Sequence, residues 1–184
     1  MGLLLVEKEQ HLDAIQSFEE ALEIYRKLAK DNSAQQEEVL NSLYYLSQLY
    51  AQTNNHIRNY EIRQELLPLL KEMYDADEEN VRNTYATTIG GQSFNAIFMK
   101  KYSEAEQLAR EGLAVDSTQH WITSNLAAAL LLQGRYSEAE PIYRQYKNEM
   151  KDSFLDDFRQ FKVAGVIPKE REEDVEKIKR MLEE

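Results

Sequence analysis

The sequence predicts an all-α protein of stacked helical hairpins, on three observations. The pentapeptide Tyr102-Ser103-Glu104-Ala105-Glu106 recurs word for word as Tyr136-Ser137-Glu138-Ala139-Glu140, 34 residues further on. A fixed period of about 34 residues belongs to a helix–turn–helix unit that buries its apolar face only by stacking on its neighbours. Apolar residues fall at helical spacing along most of the chain, as in Ile15, Phe18, Leu22 and Tyr25. The 184 residues are 42% hydrophobic and 30% charged with six Gly and three Pro, too apolar for disorder and too poor in breakers for a β-sandwich.

The elements follow in order. Residues 1–30 read as a truncated first repeat. Residues 1–9, with Leu3-Leu4-Leu5-Val6, read either as the end of a helix whose beginning lies upstream, which would make the chain the C-terminal part of a longer array, or as an amphipathic start that caps the array. A second helix then runs from His11 to Lys30. Four consecutive apolar residues at an array's end invite self-association, which leaves a homo-oligomer through this repeat open. Residues 34–75 form an extended repeat. Val39, Leu43, Leu46, Leu49 and Tyr50 line the buried side of its first helix, 34–53, and Tyr60, Leu66, Leu67, Leu70 and Met73 line its second, 56–75. Pro68 is expected to kink or split that second helix, because proline lacks an N–H and clashes with the preceding turn.

Residues 78–116 form the next repeat, its first helix spanning 78–99 and entered through Asp75-Ala76-Asp77, with Gly90-Gly91 in the middle. Two glycines cost roughly 0.5 to 1 kcal/mol each against alanine, so close packing or a ligand is expected there. Residues 118–150 form a repeat whose first helix ends at Gly134. In 152–184, Asp152-Ser153 are expected to cap a short helix carrying Phe154, Leu155, Phe158 and Phe161, stopped by Gly165 and Pro168. A last helix over 170–183 places Val175, Ile178 and Leu182 on one stripe and charge elsewhere, as the end of an array requires.

The segment Leu126-Ala127, Leu130, Gly134-Arg135-Tyr136-Ser137-Glu138-Ala139 and Tyr143 resembles a tetratricopeptide repeat. Lys101-Tyr102-Ser103-Glu104-Ala105 resembles the one before it, and His11-Leu12-Asp13-Ala14-Ile15 with Phe18 and Ala21-Leu22 a further copy. The resemblance implies a right-handed α-solenoid closed by a C-terminal capping helix pair, whose first helices line a concave groove that holds a peptide or helix of a partner protein. The middle repeat is longer. Matching Asn59 to Ala14 and Ala105 gives spacings of 59 − 14 = 45 and 105 − 59 = 46, against 34 between Ala105 and Ala139. Such extended repeats are similar to those of kinesin light chains and of many bacterial members of the family. Asn59, where the family has alanine, is a departure. The resemblance also leaves a second role open, as the accessory region of a larger enzyme such as an O-linked N-acetylglucosamine transferase or a signalling protein, with catalysis outside this chain.

Composition narrows the function further. A formal net charge of −11 opposes phosphate backbones and anionic membranes, so neither nucleic acid nor a membrane is expected as a partner. With no cysteine there is no disulfide, zinc thiolate site or thiol nucleophile. The longest apolar run, Leu3 to Val6, is far short of the ~20 residues of a membrane span or the ~7 to 15 of a signal-peptide core, which points to a soluble, cytoplasmic protein. Asp116, Ser117 and His120 are adjacent only in sequence, and a triad is defined by geometry. No metal-ligand or phosphate-loop motif occurs, so no cofactor, no metal and no catalytic residue is expected.

The residues that would contact a partner share one face of each first helix. They are Asn41, Tyr44, Tyr45 and Gln48, then Thr87, Gly90 and Phe94, then Trp121, Ser124 and Asn125: aromatic or small and uncharged. A few aromatic anchors among amides and hydroxyls suit peptide recognition. Neither Glu37 to Thr53 nor Thr118 to Gln133 contains Lys or Arg. The cationic clamp with which some members of this family grip a C-terminal carboxylate is therefore expected to be absent.

Overall fold

The computed structural model describes residues 2–30, 35–76 and 81–184, the first eight of these as backbone alone. The described residues are helical, with no strand among them. The elements are α1 (Gly2–Ala29), α2 (Gln36–Gln52), α3 (His56–Asp75), α4 (Val81–Phe98), α5 (Tyr102–Val115), α6 (Ile122–Leu132), α7 (Tyr136–Val163) and α8 (Glu172–Glu183), with a 3₁₀ turn at Lys169–Arg171. The chain divides into two compact units, Met1–Asp77 and Glu78–Glu184.

In the first unit α1 packs on α2 and α2 on α3. The apolar period builds the contacts: Ile15 and Leu22 from α1, Leu43, Leu46 and Tyr50 from α2, and Tyr60, Leu66 and Leu70 from α3 are all buried. Full burial of a leucine such as Leu46 or Leu66 is worth roughly 1.5–3 kcal/mol. The turn expected near His11 does not form, and α1 runs unbroken from Gly2 to Ala29. The segment Glu7-Lys8-Glu9-Gln10 contains only good helix formers and no breaker, so nothing stops the helix there. α3 likewise continues through Pro68 as one helix, with the ring on its exposed side. The expected start at Asp75-Ala76-Asp77 is replaced at Ala76 by the C-cap of α3, and residues 77–80 lie outside the described residues.

In the second unit α4 packs on α5, α5 on α6, α6 on α7, α7 on α8, and α4 also meets α6. Ala105 and Ala139, the small residues of the repeated pentapeptide, are both 0% exposed. A larger side chain at either would force the paired helices apart. The charged ends of the motif tie successive turns together. Glu106 accepts from Arg135 (2.6 Å) and from Gln133 (2.9 Å), and Arg135 reaches Glu138 as well. The Tyr102 hydroxyl donates to the Val166 carbonyl (2.6 Å), pinning the loop before α8.

The helix ends follow one device. After α7 the Val166 N–H bonds to the Phe161 carbonyl and the Gly165 N–H to that of Lys162, and Gly165 takes φ +63°. This is a Schellman ending, which uses the left-handed conformation glycine adopts freely. Gly134 (φ +83°) closes α6 in the same way, with the Arg171 guanidinium lying where a Cβ would stand.

α7 differs from expectation. Helical hydrogen bonding runs from Tyr136 to Val163 with no cap at Asp152-Ser153. Yet the Tyr143 ring lies 4.8 Å from that of Phe154 and 5.5 Å from that of Phe158. Fifteen residues of straight helix rise about 22 Å, beyond the reach of two aromatic side chains. The axis of α7 therefore folds back between Tyr143 and Phe154. Its C-terminal part returns over α4, where Phe161 meets Phe94 (5.8 Å) and Phe98 (5.5 Å).

Candidate functional site

The predicted contact residues divide between the units. In the first unit Tyr45 is 51% exposed and stacks on Phe18 of α1 (5.2 Å), with Tyr44 set edge-on to it (5.9 Å). Gln48 is exposed, and Asn41 and Tyr44 are half-buried. Four side chains of α2 thus present an aromatic and amide surface without a charge. To one side Tyr50 donates to Glu19, which also accepts from Arg58 (2.8 Å). These two bonds hold the Glu19 carboxyl below its usual range, against a smaller opposing effect of burial.

In the second unit Trp121 is 39% exposed at the start of α6, held by a hydrogen bond from its Nε1 to Gln119 Oε1 (3.0 Å). Phe94 and Thr87 are half-buried. The other three predicted residues are turned inward. Asn125 is 2% exposed and donates to the Gly90 carbonyl (2.8 Å). Ser124 is 6% exposed and donates to the Trp121 carbonyl (2.9 Å). Gly90 is buried, and a Cβ on it would stand 2.6 Å from Ile122 and 2.7 Å from Trp121. These residues join α4 to α6 and support the surface Trp121 presents, but they do not form it. Sequence spacing places residues on a face; it does not tell the rim of that face from the line where the next helix lands.

A test of this role is Gly90→Ala. Alanine gains roughly 0.5–1 kcal/mol of helix propensity, but Ile122 is 0% exposed and has nowhere to retreat. The expected net result is a loss of about 1–2 kcal/mol, read as a lower urea midpoint with an unchanged slope.

Two functional groups escaped the reading of faces. Asp157, on the returning part of α7, is half-buried beside Ser124. Burial lifts its carboxyl to about 7; the hydrogen bond with Ser124 opposes this and the neighbouring Asp156 adds to it. In the first unit Arg63 of α3 is 7% exposed and donates through Nε to Ser47 Oγ (2.9 Å). Burial lowers it to about 10, so it remains a cation at neutral pH. Both were visible as polar residues on an apolar stripe: Phe154, Asp157, Phe158, Phe161 and Asn59, Arg63, Leu66, Leu70.

The geometry offers no catalytic constellation at the residues weighed for one. The Asp116 carboxylate accepts from the Thr118 amide and hydroxyl and from Gln119, and the His120 ring sits 5.9 Å from Tyr146. Among the described residues no group of His, Asp or Glu is placed to hold a metal ion, and no helix is long and apolar enough to cross a membrane. A cleft of about 640 Å³ lies between α7 and α8 over Phe158, Ile167 and Val175. Its rim balances Arg159, Lys162 and Lys179 against Glu172, Glu176 and Glu183, which favours neither sign of ligand.

Residues 121–145, from Trp121 through the second pentapeptide to Gln145, match the family model described as tetratricopeptide repeat. Residues 121–145 carry a tetratricopeptide repeat. The matched segment is the α6–α7 hairpin that carries Trp121, Ser124 and Asn125. No curated protein matches the chain significantly. Repeats of this family are interaction modules, which makes a protein–protein interaction scaffold the class of function.

Proposed function

We propose that this chain binds a peptide or helix of a partner protein on the faces of its first helices, without catalysing a reaction itself. The observation that carries the reading is the exposure of Tyr45 and Trp121. Each is a large aromatic with 39–51% of its surface in water, on the first helix of a hairpin or at its start. An aromatic side chain buries 150–250 Å² when covered, so each anchor supplies a large share of the energy of a contact on its own unit. Gln48, Asn41 and Thr87 beside them can hydrogen-bond to a partner backbone.

The experiment is capture of partners on wild-type protein and on Tyr45→Ala plus Trp121→Ala. The expected result is loss of the same captured proteins, with at least about tenfold weaker binding and thermal melting unchanged within a few degrees. An identical set of captured proteins at equal strength would remove the reading.

A further inference from the structure

A chain of hydrogen bonds runs from the start of α6 to the returning part of α7. Trp121 caps α6, and its carbonyl accepts from the Ser124 amide (3.2 Å) and from the Ser124 hydroxyl (2.9 Å). Ser124 is 6% exposed and also hydrogen-bonds with the half-buried Asp157 carboxyl. Asn125 cannot supply a proton here, since it turns its Oδ1 toward Ser124 (3.5 Å) and gives its amide hydrogen to the Gly90 carbonyl.

Proton counting then limits what Asp157 can do. A hydroxyl has one hydrogen to donate, an ionised carboxylate can only accept, and a protonated carboxyl can donate. With Asp157 protonated, its O–H donates to Ser124 Oγ, Ser124 donates to the Trp121 carbonyl, and every group is satisfied. With Asp157 ionised, the single Ser124 hydrogen is claimed twice. A half-buried carboxylate without a donor is costlier than a helix-end carbonyl that keeps an amide bond, so the hydroxyl swings to Asp157. The Trp121 carbonyl then keeps only the longer bond, from the Ser124 amide.

We propose that Asp157 is a proton-operated latch on the surface Trp121 presents: protonated, it leaves Ser124 holding the first turn of α6, and ionised, it draws Ser124 away and loosens Trp121. This rests on the reading that Trp121 contacts a partner, and it adds a regulation: the second unit binds more tightly while Asp157 is protonated. Burial places the exchange at about 7. The groups around Asp157 do not take over its role. Asp156, on the same helix, is the charge that acts on it, and Tyr143 is held protonated by its own burial. α6 contains no ionisable residue, and on α4 Arg82 donates to the Val115 carbonyl and Tyr85 to Glu111. On α8 Glu172, Glu176, Lys179 and Glu183 line the cleft over Phe158, which Asp157 does not border. His120, the neighbour of Trp121 in sequence, meets Tyr146 instead (5.9 Å).

Trp121 is the one tryptophan of the chain, so fluorescence excited beyond the tyrosine absorption reads this position alone. The test follows its anisotropy in the full chain, without a partner, from about pH 5.5 to 8.5 at constant ionic strength. The expected result is a single-proton fall centred at about 7 as pH rises. The fall should be absent in Asp157→Asn, whose amide donates to Ser124 at every pH, and in Ser124→Ala, which has no hydroxyl to exchange. His120→Gln should keep it, which separates the latch from titration of the adjacent imidazole. A flat wild-type curve, a transition that survives in Asp157→Asn or Ser124→Ala, or one lost in His120→Gln would overturn the proposal. The capture experiment at one pH reports whether Trp121 touches a partner, and this titration without one reports whether Asp157 moves Trp121, so either can fail alone.

Discussion

Replacing Phe158 by alanine is expected to cost the second unit about 3–5 kcal/mol, the range for truncating a buried aromatic. Phe158 is 3% exposed and Tyr143 1%. Against a typical domain stability of about 5–15 kcal/mol, that loss brings the unit close to unfolding at moderate urea. The location of the partner ring gives the experiment its force. Tyr143 and Phe158 belong to one continuous helix, and on a straight helix they would lie about 22 Å apart and contribute independently. With the axis folded back the rings are 5.5 Å apart, and an aromatic pair adds roughly 0.5–1.5 kcal/mol beyond the area it buries. A cycle of Tyr143→Leu, Phe158→Leu and the double variant should therefore show coupling of that size in urea unfolding. Additive losses would mean that the two halves of α7 do not meet.

That bend shows where the sequence was legible and where it was not. Ala105, Ala139, Gly134 and Gly165 announced the hairpins and their ends, because each position admits few residue types: a fully packed contact takes only a small side chain, and a left-handed cap favours glycine. Between Tyr143 and Phe154 no such constraint operates. The segment Asn148-Glu149-Met150-Lys151-Asp152-Ser153 contains neither Gly nor Pro, so no residue type marks where the axis turns. The expected separation into two helices appears as a change of direction instead of a gap. α1 shows the converse, since a turn was expected from repeat spacing where the local residues all favour helix. Of the residues named for the contact face, Tyr45 and Trp121 reach solvent. Gly90, Ser124 and Asn125 are buried instead, because small and amide residues serve equally as a surface and as a helix crossing. The choice depends on what packs above them. Arg63 and Asp157 lie on the apolar stripes of neighbouring helices, where the periodicity leads one to expect no charge.

Asp157 gives the second large effect, a pH dependence of opposite sign to that of most carboxylates. Its carboxyl is raised from 3.8 to about 7, chiefly by burial, so the folded state resists ionising it. Below the unfolded value near 3.9 the group is protonated in both states and costs nothing. As pH rises from there toward about 7 the unfolded chain ionises first, and the second unit loses stability until the folded carboxyl has ionised too. At about 1.4 kcal/mol per pH unit, the full displacement from 3.8 to about 7 corresponds to roughly 4 kcal/mol. Asp116 works the other way. Thr118 and Gln119 hold it down at about 2, so its contribution is present above its unfolded value and lost only as pH falls toward 2. Comparing wild type with Asp157→Asn separates the two, because the substitution leaves Asp116 in place. The amide can still hydrogen-bond to Ser124 and carries no charge to desolvate. The variant should match wild type near pH 4 and be more stable at pH 8 by up to about 4 kcal/mol, with most of the gain developing between pH 4 and 7. Parallel stability curves for the two proteins across that interval would show that the carboxylate is already solvated, and with it that the returning part of α7 does not close over α6 as the Ser124 contact requires.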